Sequence, residues 1–141
     1  MDDLKKHIVG SWRLISWELE FQADGHREPY LGGHPDGWLT FTADSRAMAF
    51  IAAKDRSPGT SDTEHAALFR SMLAYTGPYR IDGDRLCIDV DGSWNQAWNG
   101  TTQERFVAMD GPRLNIVAAW APHPVAPGAP MVRGWLTWER S

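Results

Sequence analysis

The decisive stretch is Val9-Gly10-Ser11-Trp12-Arg13-Leu14-Ile15-Ser16-Trp17 (VGSWRLISW). A glycine stands two residues before a tryptophan, and an apolar run that also carries an arginine follows. Such a pair can admit a ligand, or it can hold a fold shut. The chain contains eight tryptophans, so the same question extends to each of them.

Working outward, the segments on either side have strand composition. Five Asp-Gly pairs punctuate the chain, at 24–25, 36–37, 82–83, 91–92 and 110–111. Asp-Gly readily supplies the positive φ that tight hairpin turns need. Between these pairs Val, Ile, Leu, Phe and Trp dominate, often in alternation. The pattern predicts strands near Gly10–Gln22, Gly37–Thr42, Arg46–Ala53, Gly77–Ile81, Arg85–Asp91, Thr101–Met109, Arg113–Ala121 and Val132–Arg140. One segment breaks the rhythm. In SDTEHAALFRSMLAY, Ser61 with Glu64 forms a capping-box pattern ahead of good helix formers, which predicts a helix over Asp62–Ala74. A short helix over Asp2–Ile8 precedes the first strand, and the Pro-rich 121–130 reads as a loop. Eight sequential strands with tight turns and no second sheet imply an all-β, up-and-down antiparallel barrel with one inserted helix. Closing the sheet removes its edges and leaves room for one small ligand.

Bulk properties exclude several function classes. A length of 141 residues suits a single domain, 1–141. The net charge is −4 with no basic stripe, so no nucleic-acid partner is expected. No run of about 18 apolar residues occurs, so no membrane span is expected. The one cysteine, Cys87, permits no intrachain disulfide, and the charged N-terminus lacks a signal-peptide core. Both point to the cytoplasm. The five histidines form no HExxH pair and no tight cluster, and phosphate-loop, dinucleotide and serine-nucleophile motifs are missing. Neither a metal nor a cofactor is expected.

Gly10-Ser11-Trp12 resembles the Gly-x-Trp of the lipocalin and fatty-acid-binding calycin superfamily, and the chain ends in GWLTWERS. The stretches PDGWLTFTADSRAMAF, AYTGPYRIDGDRL and TTQERFVAMDGPRL add a resemblance to bacterial and fungal lipocalin-like domain proteins over nearly the whole chain. The resemblance implies a barrel in which Trp12 sits at the closed end and Arg140 packs across its ring. A guanidinium over an indole face contributes about 0.5–2 kcal/mol.

Strand parity then sorts the candidates. With Trp12 inward, Glu18 shares its face and becomes a lumen carboxylate, with a raised pKa suited to acid–base work. Ile15, Trp17, Leu19 and Phe21 would then face outward, too apolar for a free surface. Either a bulge switches the phase or that face packs on the helix or on a second subunit, as in a homodimer. Tyr75 and Tyr79 share a face and could donate to a ligand carbonyl, or simply pack. An inward Arg105, with Gln103 on its face, could hold a carboxylate or enolate, the rival being a solvated arginine. His34 and His123 precede prolines in loops and could serve as acid–base groups, or be ordinary loop histidines. Trp94 and Trp98 offer aromatic surface at a barrel mouth. Trp38 and Trp120 could face the lumen, and if Arg140 points inward so does Trp138.

The expected function is binding of a small hydrophobic, aromatic or polycyclic metabolite in the lumen, through Trp38, Tyr75, Trp94, Trp98, Gln103, Trp120 and Trp138. The alternative, which the resemblance makes realistic, is a cofactor-independent cyclase, isomerase or lyase in natural-product biosynthesis. Its catalytic candidates are Glu18, Tyr79, Arg105 and His34.

Overall fold

The computed structural model describes residues 2–32 and 34–141. Helix α1 (Asp2–Ile8) leads into β1 (Gly10–Phe21), β2 (Arg27–Pro29), β3 (Asp36–Phe41) and β4 (Arg46–Ala52). Helix α2 (Asp62–Arg70) precedes β5 (Met72–Asp82), β6 (Arg85–Asp89) and β7 (Gly92–Ser93). A 3-10 turn (Gln96–Trp98) leads to β8 (Thr102–Asp110), β9 (Arg113–Ala118), β10 (Ala121–Pro122) and β11 (Met131–Arg140). The eight long strands pair in the order β1-β3-β4-β5-β6-β8-β9-β11, and β11 returns to β1. Every pairing is antiparallel, so the sheet is a closed barrel. Strands β2, β7 and β10 are short additions to it.

Of the five Asp-Gly pairs, three supply the expected positive φ: Gly25 at 77°, Gly83 at 65° and Gly111 at 59°. Asp36-Gly37 lies inside β3, where Gly37 packs against Leu14 and Ile51. Asp91-Gly92 leads into β7. The inserted helix ends at Arg70 and does not run to Ala74, because Met72–Ala74 pair with Ala52–Phe50 of β4. Tertiary pairing here overrides helix propensity. Ser61 Oγ accepts from the Glu64 N–H at 3.2 Å as the N-cap, and Glu64 reaches back to the Thr60 N–H at 3.1 Å. Helix α2 has no buried residue and lies on the outside, so it does not cap the barrel.

Helix α1 does that work. Ile8 is fully buried in one core with Trp12, Phe41 and Tyr79. The Trp12 Nε1–H donates to the Ile8 carbonyl at 2.9 Å, and the Lys5 ammonium donates to Ser45 Oγ at 2.7 Å in the β3–β4 turn. Arg140 lies 4.2 Å from the Trp12 ring centroid. Its guanidinium also donates to the Val9 carbonyl at 2.7 Å and to the His7 carbonyl, satisfying acceptors that the end of α1 leaves open. Gly10 has φ of 126°, and a Cβ there would stand 2.7 Å from Arg140 Nη1. The glycine of Gly-x-Trp therefore makes room for the arginine that covers the tryptophan.

Between Leu14 and Ser16 the β1–β11 register shifts: Leu14 faces Trp138 but Ser16 faces Thr137. Ile15 is the extra residue of a β-bulge, which moves all later side chains to the other face. Trp12 and Leu14 point inward before the bulge, and Trp17 and Leu19 line the barrel interior after it.

Candidate functional site

The barrel interior beyond this closed end is not filled. A cavity of about 420 Å³ remains, bounded by Leu39, Ile51, Leu73, Leu86, Ile88, Ile116 and Leu136 among others. Alternation on six of the barrel strands sends these side chains to one face. The aliphatic wall is interrupted by Trp17, Tyr75, Trp98, Arg105 and Trp138. Pro122 and Pro124 of the 121–130 loop, with Tyr30 and Arg133, complete the rim. The volume lies in the range of small-molecule sites, as does the mix of apolar wall and few polar groups.

Aromatic contacts connect the cavity to the surface. Tyr75 and Trp98 have ring centroids 5.2 Å apart, Trp98 and Trp94 are 5.0 Å apart, and Trp94 and Phe69 are 6.0 Å apart. Trp98 is held by the 3-10 turn, whose cap residue Asn95 accepts from the Ala97 N–H at 3.1 Å. Trp94 Nε1–H donates to the Phe69 carbonyl at 3.1 Å, which ties the end of α2 to this cluster. Trp17 packs on Tyr30 at 4.9 Å.

The polar groups have distinct environments. Burial pushes the Tyr75 hydroxyl above its ordinary 10.0, and the Arg105 charge opposes that rise. The phenol therefore stays protonated at neutral pH and can donate. Arg105 donates to the Gln103 side-chain carbonyl at 3.0 Å and to the Glu104 backbone carbonyl at 2.9 Å. The indole N–H groups of Trp17 and Trp138 are buried with no protein acceptor.

The cavity gathers Tyr75, Trp98, Arg105 and Trp138 from the expected set. Gln103 stands beside it as a partner of Arg105. The other candidates lie elsewhere. Glu18 is not a lumen carboxylate: the bulge turns it outward, 3.8 Å from the Arg27 guanidinium. Tyr79 is buried at the closed end against Phe41, and its hydroxyl donates to the Thr42 carbonyl at 3.4 Å. His34 is exposed in the loop before β3, on a small cleft it shares with Arg13, Asp36 and Lys54. His123 Nδ1 accepts from the backbone of Val125 and Ala126 within its own loop. Trp38 is 48% exposed on the outer face, because Gly37 and Leu39 take the inward positions of β3. Trp94 lies outside the cavity, over Phe69. Trp120 lies under the Arg133 guanidinium at 4.4 Å, and Arg133 is in turn paired with Glu20 at 2.6 Å.

Parity without the bulge missed Trp17 and Leu19, and residue type alone missed Gly134. The surplus of apolar residues on the wrong face of β1 was the signal for the first two. Gly134 carries none in the sequence, because its role is to be absent: a Cβ there would lie 3.1 Å from Trp17 Nε1. Among the described residues no three His, Cys, Asp or Glu side chains converge as metal ligands, and no helix is long and apolar enough to cross a membrane.

A closed eight-stranded meander, plugged at one end by a short helix under an arginine-covered tryptophan and hollow at the other, is a lipocalin-like architecture. The chain belongs to the lipocalin-like domain family, whose sequence profile matches residues 9–141. Among solved structures it is similar to a lipocalin-like protein from Bacteroides uniformis, with TM-score 0.51 and 13% identity over 96% of this chain and 99% of the other. A protein from Bacteroides eggerthii superposes with TM-score 0.47 and 13% identity, over 95% of this chain and 99% of the other. No curated protein matches the chain in sequence.

Proposed function

We propose that the barrel is a single binding domain that takes up a small hydrophobic, aromatic or polycyclic metabolite. The observation that carries this reading is the apolar cavity of about 420 Å³ with aromatic groups along one wall. The buried free thiol of Cys87 suits a reducing compartment, the cytoplasm. Trp17 and Trp98 in the wall report occupancy directly. Titration with 2-methylnaphthalene should change tryptophan emission and raise the melting temperature, since a ligand at 100 times its Kd stabilises the native state by about 2.7 kcal/mol. Gly134→Leu, which fills the space beside Trp17, should abolish both responses while the protein stays folded. A panel of apolar ligands that changes neither signal in the unsubstituted protein overturns the reading.

One observation favours a second reading, a cofactor-independent enzyme acting on such a metabolite. Tyr75, kept protonated by burial, shares the cavity with the cationic Arg105. A phenol can hand its proton to a substrate oxygen or carbon while a guanidinium holds the charge that develops. Tyr75→Phe should then lower turnover of a cognate substrate by about 10²–10⁴-fold with little change in affinity. Unchanged turnover in that variant rejects the role.

A further inference from the structure

The polar atoms of the cavity wall are nearly all donors. Arg105 offers a guanidinium and Tyr75 and Tyr30 hydroxyls, the indole N–H groups of Trp17 and Trp138 are enclosed in the same wall, and among the described residues no Asp, Glu, Asn or Gln lines the cavity. The second arginine of the lining, Arg133, is neutralised by Glu20 at 2.6 Å. Arg105 has no carboxylate within 4 Å among the described residues and makes its two side-chain bonds to neutral carbonyls. Indole and guanidinium accept no hydrogen bonds, which leaves only the hydroxyls of Tyr30 and Tyr75 as side-chain acceptors, so the wall favours an oxygen anion over an ammonium group.

Two of these donors belong to one continuous patch. Ala118 pairs with Arg105 across β8 and β9. The position a Cβ would take on Gly134 is 3.9 Å from the Ala118 Cβ and 3.1 Å from Trp17 Nε1. A row of two small residues thus lies between the Trp17 N–H and the strand position of Arg105. Arg105 is only partly buried and has no carboxylate partner among the described residues, so a ligand oxygen anion gains a charge-assisted pair there.

Resting on the pocket reading above, we infer that the ligand is an apolar organic anion, a carboxylate or enolate on an aromatic or polycyclic body. Its charged oxygen meets Arg105, and Tyr75 donates beside it. The donor-rich wall also selects against amines of the same shape.

Three probes with the same ring system test this: 2-naphthoate, 2-methylnaphthalene and 2-naphthylmethylammonium, titrated calorimetrically near neutral pH. Naphthoate should bind at least about tenfold more tightly than methylnaphthalene, in keeping with a charge-assisted pair, and the ammonium probe should bind most weakly. Arg105→Gln should erase the preference for naphthoate over methylnaphthalene. Equal binding of naphthoate and methylnaphthalene, a preference that survives Arg105→Gln, or tight ammonium binding each overturns the anion assignment while the apolar pocket stands. If no probe binds, the pocket reading itself fails and takes the assignment with it. If Arg105→Gln does not fold, the order of the three probes in the unsubstituted protein decides alone.

Discussion

Trp12 concentrates three interactions in one fully buried side chain: packing against Ile8 and Phe41, a hydrogen bond to the Ile8 carbonyl and the Arg140 guanidinium over its face. Trp12→Ala opens a void in a region with little freedom to collapse. The expected loss is about 3–5 kcal/mol, measured by urea unfolding. A denaturation midpoint unchanged by the substitution removes Trp12 from its structural role. Gly10 belongs to the same unit. Gly10→Ala forces a side chain into a left-handed backbone and toward Arg140 Nη1, for an expected cost of about 1–3 kcal/mol. This cluster was legible in the sequence through the family resemblance carried by Gly10-Ser11-Trp12 and the terminal GWLTWERS, not through strand alternation.

At the scale of elements, the bulge at Ile15 decides which half of β1 faces the cavity. Deleting Ile15 would restore strict alternation and move Trp17 and Leu19 to the outer face. The expected result is a red-shifted tryptophan emission and loss of 2-methylnaphthalene binding. Retention of both properties shows that the register is set elsewhere. The alternation of apolar residues signalled a conflict in this strand but could not place its resolution, since a bulge depends on the partner strand. The same limit explains Trp38: an isolated strand pattern gives two faces, and only the pairing with β4 shows which is inside. The inserted helix was legible at its start, where capping is local, and not at its end, where β4 captures Met72–Ala74. The cavity residues Tyr75 and Arg105 were legible as types with chemistry to offer, and their common enclosure was not.

The turn between β1 and β2 adds a pH-dependent element. His26 stacks on Phe21 at 4.3 Å, and its Nδ1 lies 2.5 Å from the Asp24 carboxylate. The hydrogen bond to Asp24 raises His26 above its ordinary 6.5, and Glu28 adds to the rise. Asp24 is held below 3.8 by the His26 backbone N–H first and its ring second. The raised histidine contributes stability below pH 6.5 that fades as pH climbs through its folded value. The lowered aspartate contributes above pH 3.8 and loses its contribution as pH falls through its own. The pair is therefore fully effective between those limits. His26→Gln should lower the melting temperature there and converge with the unsubstituted protein in alkali. An NMR titration that places His26 at or below 6.5 contradicts this.

For the whole molecule, the two ends of the barrel divide the labour. The closed end, with α1, Trp12 and Arg140, carries packing, and the cavity end carries the groups that can meet a ligand. Variants that stay folded should respect that division, so Trp12→Ala lowers the melting temperature without changing probe affinity. Gly134→Leu does the reverse. A loss of affinity in Trp12→Ala that tracks its loss of stability means the ends are coupled. One barrel supports many functions, and here the chemistry lies in the wall of the cavity, not in the fold.

The seam between β1 and β11 has a consequence in time. Most barrel pairings join strands that follow one another along the chain and can zip from a turn. The seam joins Trp12 to Arg140, so its loop-closure entropy is the largest in the molecule. Hairpins assembled into an open sheet should precede closure, and the seam should be largely unformed at the rate-limiting barrier. Trp12→Ala would then leave the refolding limb of the chevron in place and steepen decay of the native state, with unfolding accelerated by nearly the full equilibrium loss. The tryptophan and arginine that mark the two ends of this sequence would thus act as a latch, setting how long the folded barrel lasts and not how fast it forms.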